Sequence, residues 1–288
     1  MLCMVVLVVL NKKGGVGKTT IATNLAQGLS ILGKKVLAID NDEQHNLTAS
    51  LGLSPKDYDV SLADIYAASS KMAESVIENV VLESFLENLH VIPGGKGLER
   101  ANPSRSALLN VLQSKYIQSM AYDVAIIDNS PSIDVKTQCA ITCGDVFILP
   151  VQLRQFAIDG LVELFASLTQ EYGVSSEKIR IVRNMYRNTT NCQMASVLLE
   201  GRYPDNLVET VIPDDEAFER LLCKDKSVFF SRTKCRGTLK FQELIGELFG
   251  INYDDMMELF SKKIKEYRGY IAGKNIKKAH ILNLALKN

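Results

Sequence analysis

The sequence lacks a net charge, because 33 Lys and Arg residues are balanced by 33 Asp and Glu residues among its 288. This balance excludes a wholly basic protein that coats nucleic acid along its full length. The two ends of the chain nevertheless differ. Residues 217–288 contain 15 basic and 8 acidic residues, a net charge of +7, and residues 1–216 carry the opposite charge of −7. The basic end is therefore the part that we expect to meet an anionic surface.

Metal-binding and membrane-spanning patterns are also missing. The six cysteines form no C-x-x-C pair, and none of the three histidines lies near Cys139 and Cys143, which are spaced to share a helix face. We interpret these two cysteines as small buried apolar residues in a reducing cytoplasm. No run reaches the roughly 18 apolar residues of a membrane span, and the apolar residues 1–10 lack the flanks of a signal peptide. The sequence thus predicts a soluble protein.

Short apolar runs alternate with segments of helical periodicity up to about residue 250, which is typical of strand-helix units around a mostly parallel sheet. The runs are rich in Val, Ile and Leu, which indicates strands covered on both faces. We therefore expect an α/β fold with a doubly wound, mostly parallel sheet and helices on both of its faces. The predicted strands are 4–10, 35–40, 89–92, 123–128, 145–150, 179–184 and 207–212, and the predicted helices are 19–32, 106–120, 157–171, 190–200 and 238–249.

The last part of the chain has a different pattern. From Tyr253 onward, apolar residues repeat at helical spacing beside several lysines, which predicts a basic amphipathic helix. We therefore divide the chain into a domain of residues 1–250 and a basic helical extension of residues 251–288. This helix either packs on the domain with its lysines in solvent or binds DNA, a membrane or a partner protein. The apolar residues of the pattern are Met256, Leu259, Phe260, Ile264, Tyr267 and Ile271.

A glycine-rich segment lies between the first predicted strand and the first predicted helix, and reads KGGVGKT over residues 13–19. Glycines let the backbone fold around phosphates with its amides pointing inward, and the helix that follows adds a favourable potential for anions. In such a loop Lys18 contacts the β- and γ-phosphates and the Thr19 hydroxyl binds magnesium. The usual motif has a glycine where this chain has Lys12. The predicted nucleotide-binding residues are Gly14, Gly15, Val16, Gly17, Lys18, Thr19 and Thr20.

With its second lysine, Lys13, the loop resembles the deviant Walker A motif of the ParA/MinD family of ATPases. The resemblance implies a P-loop NTPase fold, ATP hydrolysis and a homodimer that sandwiches two nucleotides. In the family, the lysine at the position of Lys13 reaches the phosphates bound by the partner subunit. This lysine neutralises charge at the phosphoryl group that is transferred. Because it reaches that group only after dimerisation, hydrolysis is coupled to assembly.

Two acidic segments are similar to further landmarks of that family. Residues 35–44 resemble its switch I segment, in which the carboxylate matching Asp40 supports the magnesium hydration shell and the one matching Asp42 positions the attacking water. Residues 122–128 resemble its Walker B strand, in which the carboxylate matching Asp128 holds magnesium through water. The resemblance implies a catalytic set of Lys13, Lys18 and Asp42 and a magnesium set of Thr19, Asp40 and Asp128.

The chain departs from the family pattern near both of these segments. Glu43 stands where the family has proline, and His45 stands where it has glycine. Ser130 and Leu153 each replace a proline of later segments. These departures leave open a scaffold that binds nucleotide and barely hydrolyses it, although the retained lysines and aspartates argue against such a scaffold.

The phosphate loop begins by residue 13, so we expect the short form of the partition ATPases, without an N-terminal DNA-binding helix-turn-helix. The resemblance implies that the ATP-bound dimer binds DNA nonspecifically, partitions a plasmid or chromosome at the nucleoid, and is reset when a ParB-like centromere-binding partner stimulates hydrolysis. Lys and Arg side chains can bind DNA phosphates without recognising the base sequence, and the basic residues 217–288 offer such side chains. The candidate DNA contacts are Arg220, Lys224, Arg232, Lys234, Arg236, Lys262, Lys263 and Lys265. Asn184, Pro213 and Asp214 match family positions that approach the nucleotide base.

Three other functions compete with this interpretation. A MinD-like membrane-cycling ATPase docks a C-terminal amphipathic helix on anionic lipid, but residues 281–288 contain one cation only. A metal-cluster carrier on the same scaffold needs paired cysteines, and no C-x-x-C is present. A GTPase needs an N-K-x-D segment, and none follows a late predicted strand. We therefore expect ATP and Mg²⁺ as ligands, DNA as a partner and no membrane partner.

Overall fold

A computed structural model describes residues 4–68, 73–153, 157–217, 227–230 and 235–273. The strands in this part of the chain are β1 Val5–Val9, β2 Val36–Asn41, β3 Leu82–Glu83, β4 Leu89–Ile92, β5 Val124–Asn129, β6 Val146–Gln152, β7 Ile179–Tyr186 and β8 Leu207–Pro213. The helices are α1 Lys18–Ile31, α2 Asn46–Ser50, α3 Leu62–Ala67, α4 Ala73–Val80, α5 Ala107–Leu112, α6 Lys115–Met120, α7 Val135–Cys143, α8 Ala157–Ala166, α9 Thr190–Arg202, α10 Arg236–Phe249 and α11 Tyr253–Gly273.

The eight strands form one sheet in the order β3-β4-β2-β5-β1-β6-β7-β8. Every neighbouring pair is parallel except β3 and β4, which are antiparallel. Because the strands are parallel, their carboxyl ends lie at one edge of the sheet, where the loops after β1, β2 and β5 meet. The predicted doubly wound, mostly parallel α/β fold is confirmed.

Each face of the sheet carries its own apolar core. Along β1, Val6 and Val8 point into one core and Leu7 and Val9 into the other, as the two-residue period of a strand requires. The first core contains apolar residues of α3 to α9, and the second contains those of α1, α2, α10 and α11. Burial on both sides explains why the strand sequences are almost continuously apolar.

All seven predicted strands are found within two residues of their predicted ends. The predicted helix 106–120 was wrong as a single element, because α5 ends at Leu112 and Ser114 then caps α6 by accepting a hydrogen bond from the Ile117 amide at 3.3 Å. The predicted helix 157–171 ends as an α-helix at Ala166 and continues as a π-helical turn over Ser167–Glu171. The sequence pattern missed α2, α3, α4 and α7, which have five to nine residues and are too short to establish a period.

The amphipathic helix predicted near the end of the chain is present as α11. Met256 and Phe260 are fully buried in the second core, and the Phe260 ring stacks on Phe229 with centroids 5.3 Å apart. Lys262 and Lys265 are exposed, so the described part of α11 packs on the sheet domain and presents lysines to solvent. Residues 274–288 lie outside the described part of the chain, and the division at residue 250 stays a prediction.

Cys139 and Cys143 are buried in α7 with free thiols, which confirms their interpretation as buried residues. Burial raises the pKa of the Cys143 thiol to about 12. In the part of the chain that the structure describes, no helix is both long enough and apolar enough to cross a lipid bilayer.

Candidate active site

The phosphate loop connects β1 to α1 at the carboxyl edge of the sheet. Gly15 and Gly17 adopt left-handed backbone conformations with φ angles of 73° and 87°, which side chains other than hydrogen disfavour. A Cβ atom at Gly17 would lie 2.1 Å from the Asn184 Nδ2 atom, whereas one at Gly14 or Gly15 would meet no atom within 4 Å. The outer side of the loop is therefore open and its inner side is tightly packed.

Asn184, near the end of β7, supports the loop from this inner side. Its Nδ2 atom donates a hydrogen bond to the Val16 carbonyl oxygen at 2.7 Å, and the residue is 2% exposed. This contact links a central loop to a strand near the edge of the sheet. The approach of Asn184 to a nucleotide base stays a prediction.

Lys18 is buried at the start of α1, and its Nζ atom donates to the Lys13 carbonyl oxygen at 3.5 Å. Burial lowers the pKa of Lys18, while the nearby carboxylates of Asp128 and Asp42 raise it. Lys18 thus lies within electrostatic reach of two acidic residues, one in β5 and one in the loop after β2. The side chain is placed to act on charge at the mouth of the phosphate loop.

Asp128 lies in β5 and is completely buried. Its Oδ2 atom accepts a hydrogen bond from the Thr19 hydroxyl at 2.6 Å, while its Oδ1 atom has no hydrogen-bond partner. Burial, together with the negative charge of Asp40, raises the pKa of Asp128 well above its usual range. A buried carboxylate oxygen without a partner is costly, so this atom fits a cation or a cation-bound water.

Asp40 lies beside Asp128 in the sheet, because the two residues are register partners of β2 and β5. Its Oδ2 atom accepts from the Thr48 amide at 2.8 Å and from the Thr48 hydroxyl at 2.6 Å. Burial raises the pKa of Asp40 to about 6, although the bonds from Thr48 lower it. Thr48 in turn accepts from the Gly94 amide at 3.0 Å, which ties the loop after β4 to the site. Thr48 is absent from the predicted site set, although it follows the switch I segment directly.

The residues around Asp128 fit a magnesium ion. Within the described ranges no group of three or more His, Cys, Asp or Glu residues forms a metal centre of its own. Mg²⁺ typically takes one or two carboxylates and completes its shell with waters and phosphate oxygens. Thr19, Asp40 and Asp128 offer a hydroxyl and two buried carboxylates beside the phosphate loop, and the Oδ1 atom of Asp128, which accepts no hydrogen bond, fits a cation best.

Asp42 follows β2 and is 8% exposed. Its Oδ1 atom accepts from the Gln44 amide at 3.0 Å, and its carbonyl oxygen accepts from the His45 amide at the same distance. His45 has a φ of 44°, a left-handed conformation that explains why the family pattern has glycine there. The turn at His45 therefore takes a backbone conformation that glycine adopts more readily than histidine.

Lys13 is exposed at the outer side of the loop. Its backbone amide donates to the Asn11 side chain at 2.9 Å, and Asn11 donates to the Pro150 carbonyl oxygen at 2.7 Å. The backbone of Lys13 is thus anchored while its side chain faces solvent. This arrangement differs from that of Lys18, which turns inward.

Pro213 and Asp214 follow β8 near the edge of the sheet. The Asp214 amide donates to the Tyr186 carbonyl oxygen at 3.0 Å, and its carboxylate pairs with the Arg187 guanidinium. The structure thus places Asp214 beside the end of β7, the strand that carries Asn184. Arg187 is a neighbour of this position that the sequence pattern did not indicate.

A family model described as "AAA domain" matches residues 4–181 of the chain. The chromosome partitioning protein ParA of Caulobacter vibrioides is 30% identical over 261 residues, which cover 86% of this chain and 95% of that protein. These matches span the phosphate loop and the strands that carry Asp40 and Asp128.

Two solved structures have the same fold. A putative plasmid partition protein of Borrelia burgdorferi, bound to AMPPNP, superposes with a TM-score of 0.68 at 22% identity and covers 91% of this chain and 100% of its own. The septum site-determining protein MinD of Pyrococcus horikoshii, complexed with Mg-ADP, has a TM-score of 0.70 at 22% identity and covers 85% and 96%. The family match and the ParA relative confirm the resemblance seen in the phosphate loop, and the solved structures confirm the fold. The chain belongs to the ParA/MinD-type family of P-loop ATPases.

Proposed function

We propose that the protein is a partition ATPase that binds ATP and Mg²⁺, dimerises around two nucleotides and then binds DNA without sequence preference. One observation carries the nucleotide part of this proposal. Buried Lys18 and the buried Asp40 and Asp128 converge beside the open phosphate loop, and the Oδ1 atom of Asp128 is left without a partner. Such a cluster is costly on its own and suits a phosphate with its cation.

In the proposed reaction, the loop amides and Lys18 hold the β- and γ-phosphates at the start of α1. Thr19, Asp40 and Asp128 would hold Mg²⁺, which would supply neutralisation of negative charge on the phosphate oxygens. Asp42 accepts a hydrogen bond from the attacking water and orients it. Lys13, whose side chain is exposed, crosses to the partner subunit and completes the charge neutralisation.

A comparison of two neighbouring lysines tests this crossing. Lys12 and Lys13 are both exposed and lie at the same loop. We expect Lys13→Ala to retain ATP binding but to lose dimerisation with a non-hydrolysable ATP analogue, measured by light scattering, and to lose turnover. Lys12→Ala should keep both properties. Unchanged dimerisation and turnover in Lys13→Ala would overturn the crossing role.

The DNA part of the proposal rests on the chain's charge. Arg236, Lys262 and Lys265 are exposed, and Lys263 pairs with Glu266 at 3.0 Å. The other candidates, Arg220, Lys224, Arg232 and Lys234, lie outside the described part of the chain. A +7 region of this kind supports phosphate contacts that need no base readout. The basic region and the partition relative from Caulobacter together support two further parts of the proposal. The protein is cytoplasmic and associates with the nucleoid, and a ParB-like partner resets it by stimulating hydrolysis.

A membrane-cycling ATPase is the second candidate, and the fold likeness to MinD of Pyrococcus horikoshii favours it. The packing of α11 opposes this helix as the membrane anchor, because Met256 and Phe260 are buried in the domain core and are unavailable to lipid. Residues 281–288, which lie outside the described part of the chain, contain one cation only. DNA binding is therefore the preferred hypothesis.

Fluorescence anisotropy of a random-sequence duplex separates the two functions. We expect binding with ATP that weakens with ADP and at higher salt, because Lys and Arg contacts release counterions. The double variant Lys262→Gln/Lys265→Gln should weaken binding, and Lys56→Gln, an exposed lysine of the acidic part, should not. Absence of binding in every nucleotide state would overturn the DNA function, and liposomes of anionic lipid would then be the next ligand.

A further inference from the structure

Lys136 of α7 is a buried lysine that the phosphate chemistry does not use. Its residue is 5% exposed, and its Nζ atom donates to the Leu98 carbonyl oxygen at 2.9 Å. The same atom lies 3.3 Å from an Asp134 carboxylate oxygen and 3.7 Å from a Glu43 carboxylate oxygen. A buried ammonium is stable only when it is paired in this way. The ammonium of Lys136 therefore joins a residue of the loop after β2 to one of the loop after β5.

The backbone of Lys136 makes a second link, to the last residue of β2. The Asn41 Nδ2 atom donates to the Lys136 carbonyl oxygen at 3.0 Å and to the Asn129 Oδ1 atom at 2.8 Å. The Tyr66 hydroxyl donates to the Asn41 Oδ1 atom at 2.8 Å, and Asn129 donates to the Val9 carbonyl oxygen at 3.1 Å. Both asparagines are fully buried, so these bonds form in a low-dielectric environment where a missing partner is costly.

These links enclose the functional carboxylates. Asn41 and Asn129 are register partners and come directly after Asp40 and Asp128. Asp42 lies between Asn41 and Glu43, and both of these neighbours contact Lys136. Asn41 donates to the Lys136 carbonyl oxygen, and Glu43 pairs with the Lys136 ammonium. The two residues that flank Asp42 are thus both in contact with one residue of α7.

We propose that Lys136 is a positioning residue for Asp42, and that its ion pair with Glu43 holds the loops after β2 and β5 in the arrangement used for hydrolysis. The inference rests on the proposed role of Asp42. It also accounts for Glu43, which stands where the family pattern has proline. A proline ring restrains the backbone covalently, and here the ion pair supplies the restraint. Lys136 acts through the two loops and does not touch the nucleotide.

The unequal exposure of the three charges makes this inference testable without unfolding the protein. The Glu43 and Asp134 side chains are 43% and 35% exposed, and that of Lys136 is 7% exposed. Glu43→Gln breaks the link to the loop after β2 but leaves Lys136 paired with Asp134 and Leu98. Lys136→Met removes the buried charge itself, and water can then solvate both carboxylates.

Steady-state ATP turnover is the measurement, with kcat and KM determined separately and thermal unfolding recorded for each variant. We expect Glu43→Gln to lower kcat by about threefold to tenfold with KM unchanged, in keeping with a partly exposed ion pair that acts in the transition state. Lys136→Met should lower kcat at least as far. The double variant Glu43→Gln/Lys136→Met should have a kcat no lower than that of Lys136→Met, because both changes remove the same ion pair. Glu266→Gln, which breaks the exposed Lys263–Glu266 pair of α11, is the matched control and should leave kcat unchanged.

Asp42→Asn in the same series separates this inference from the proposed function. If Asp42→Asn is inactive while Glu43→Gln keeps wild-type kcat, the positioning role is wrong and the role of Asp42 stands. If Asp42→Asn itself keeps wild-type kcat, both ideas fail. A Glu43→Gln variant that raises KM with kcat unchanged would also overturn positioning, since it would indicate a contribution to ATP binding alone.

Discussion

Asn184 donates a hydrogen bond to the carbonyl oxygen of Val16 at 2.7 Å, so a strand 168 residues further along the chain holds the phosphate loop in place. The same amide group occupies the space that a Cβ atom at Gly17 would need. The glycine and the asparagine are therefore two halves of one packing arrangement.

Asn184→Ala tests the support that this bond gives to the loop. We expect ATP affinity to fall by about fivefold to thirtyfold, because a buried carbonyl oxygen loses its partner at a cost of about 1–2 kcal/mol. Isothermal titration calorimetry with a non-hydrolysable analogue measures the change. Asn188→Ala, at an exposed position of the same segment, is the control and should bind as the wild type does. Equal affinity in the two variants would contradict the support role.

Alanine substitutions at two glycines with nearly equal φ angles distinguish the cost of backbone strain from the cost of a steric clash. Gly17 and Gly33 have φ angles of 87° and 88°, but only at Gly17 would a Cβ atom collide with a neighbour. We expect Gly33→Ala to lower the free energy of unfolding by about 1–2 kcal/mol through backbone strain alone. Gly17→Ala should lose more than that and should also lose nucleotide binding. Urea unfolding measures both, and equal losses would show that the contact with Asn184 has no cost.

Asp128→Asn tests the conflict between folding and function at the proposed magnesium site. Burial and the charge of Asp40 raise the pKa of Asp128, so at pH 7 its ionised form opposes folding when no cation is bound. We expect the neutral variant to unfold at a higher temperature than the wild type in EDTA. In Mg-ATP it should lose the ligand-induced stabilisation and the turnover of the wild type. Differential scanning calorimetry with and without ligand gives both values, and a lower melting temperature in EDTA would contradict the prediction.

His45→Gly tests the left-handed turn next to Asp42. His45 and Ala121 are non-glycine residues with φ angles of 44° and 50°, and Ala121 lies at the end of α6, in another part of the sheet domain. Glycine at either position relieves backbone strain, and we expect each change to stabilise the fold by up to about 1 kcal/mol. Thermal unfolding checks the gain. If His45→Gly destabilised the protein while Ala121→Gly stabilised it, the histidine ring would have a role that the strain alone does not explain.

Much of the fold could be predicted because it is encoded locally. Continuous apolar runs such as 123–128 indicate strands buried on both faces, and the segment 13–19 places its glycines between a strand and a helix. Ser114, by contrast, divides a segment whose apolar period runs through it unbroken, because a cap is decided by one side chain and not by a period.

The sequence by itself determined seven of the eight described strands, the phosphate loop and the family resemblance, since each depends on neighbouring residues. Only the tertiary structure decided that Asn184 supports Val16, that Asp40 and Asp128 are register partners, and that Lys136 joins Glu43 to Asp134. It also decided that Met256 and Phe260 are buried in the core and do not face a ligand. These contacts depend on strand order and packing over long separations, and no local pattern of residues records which distant segments will meet.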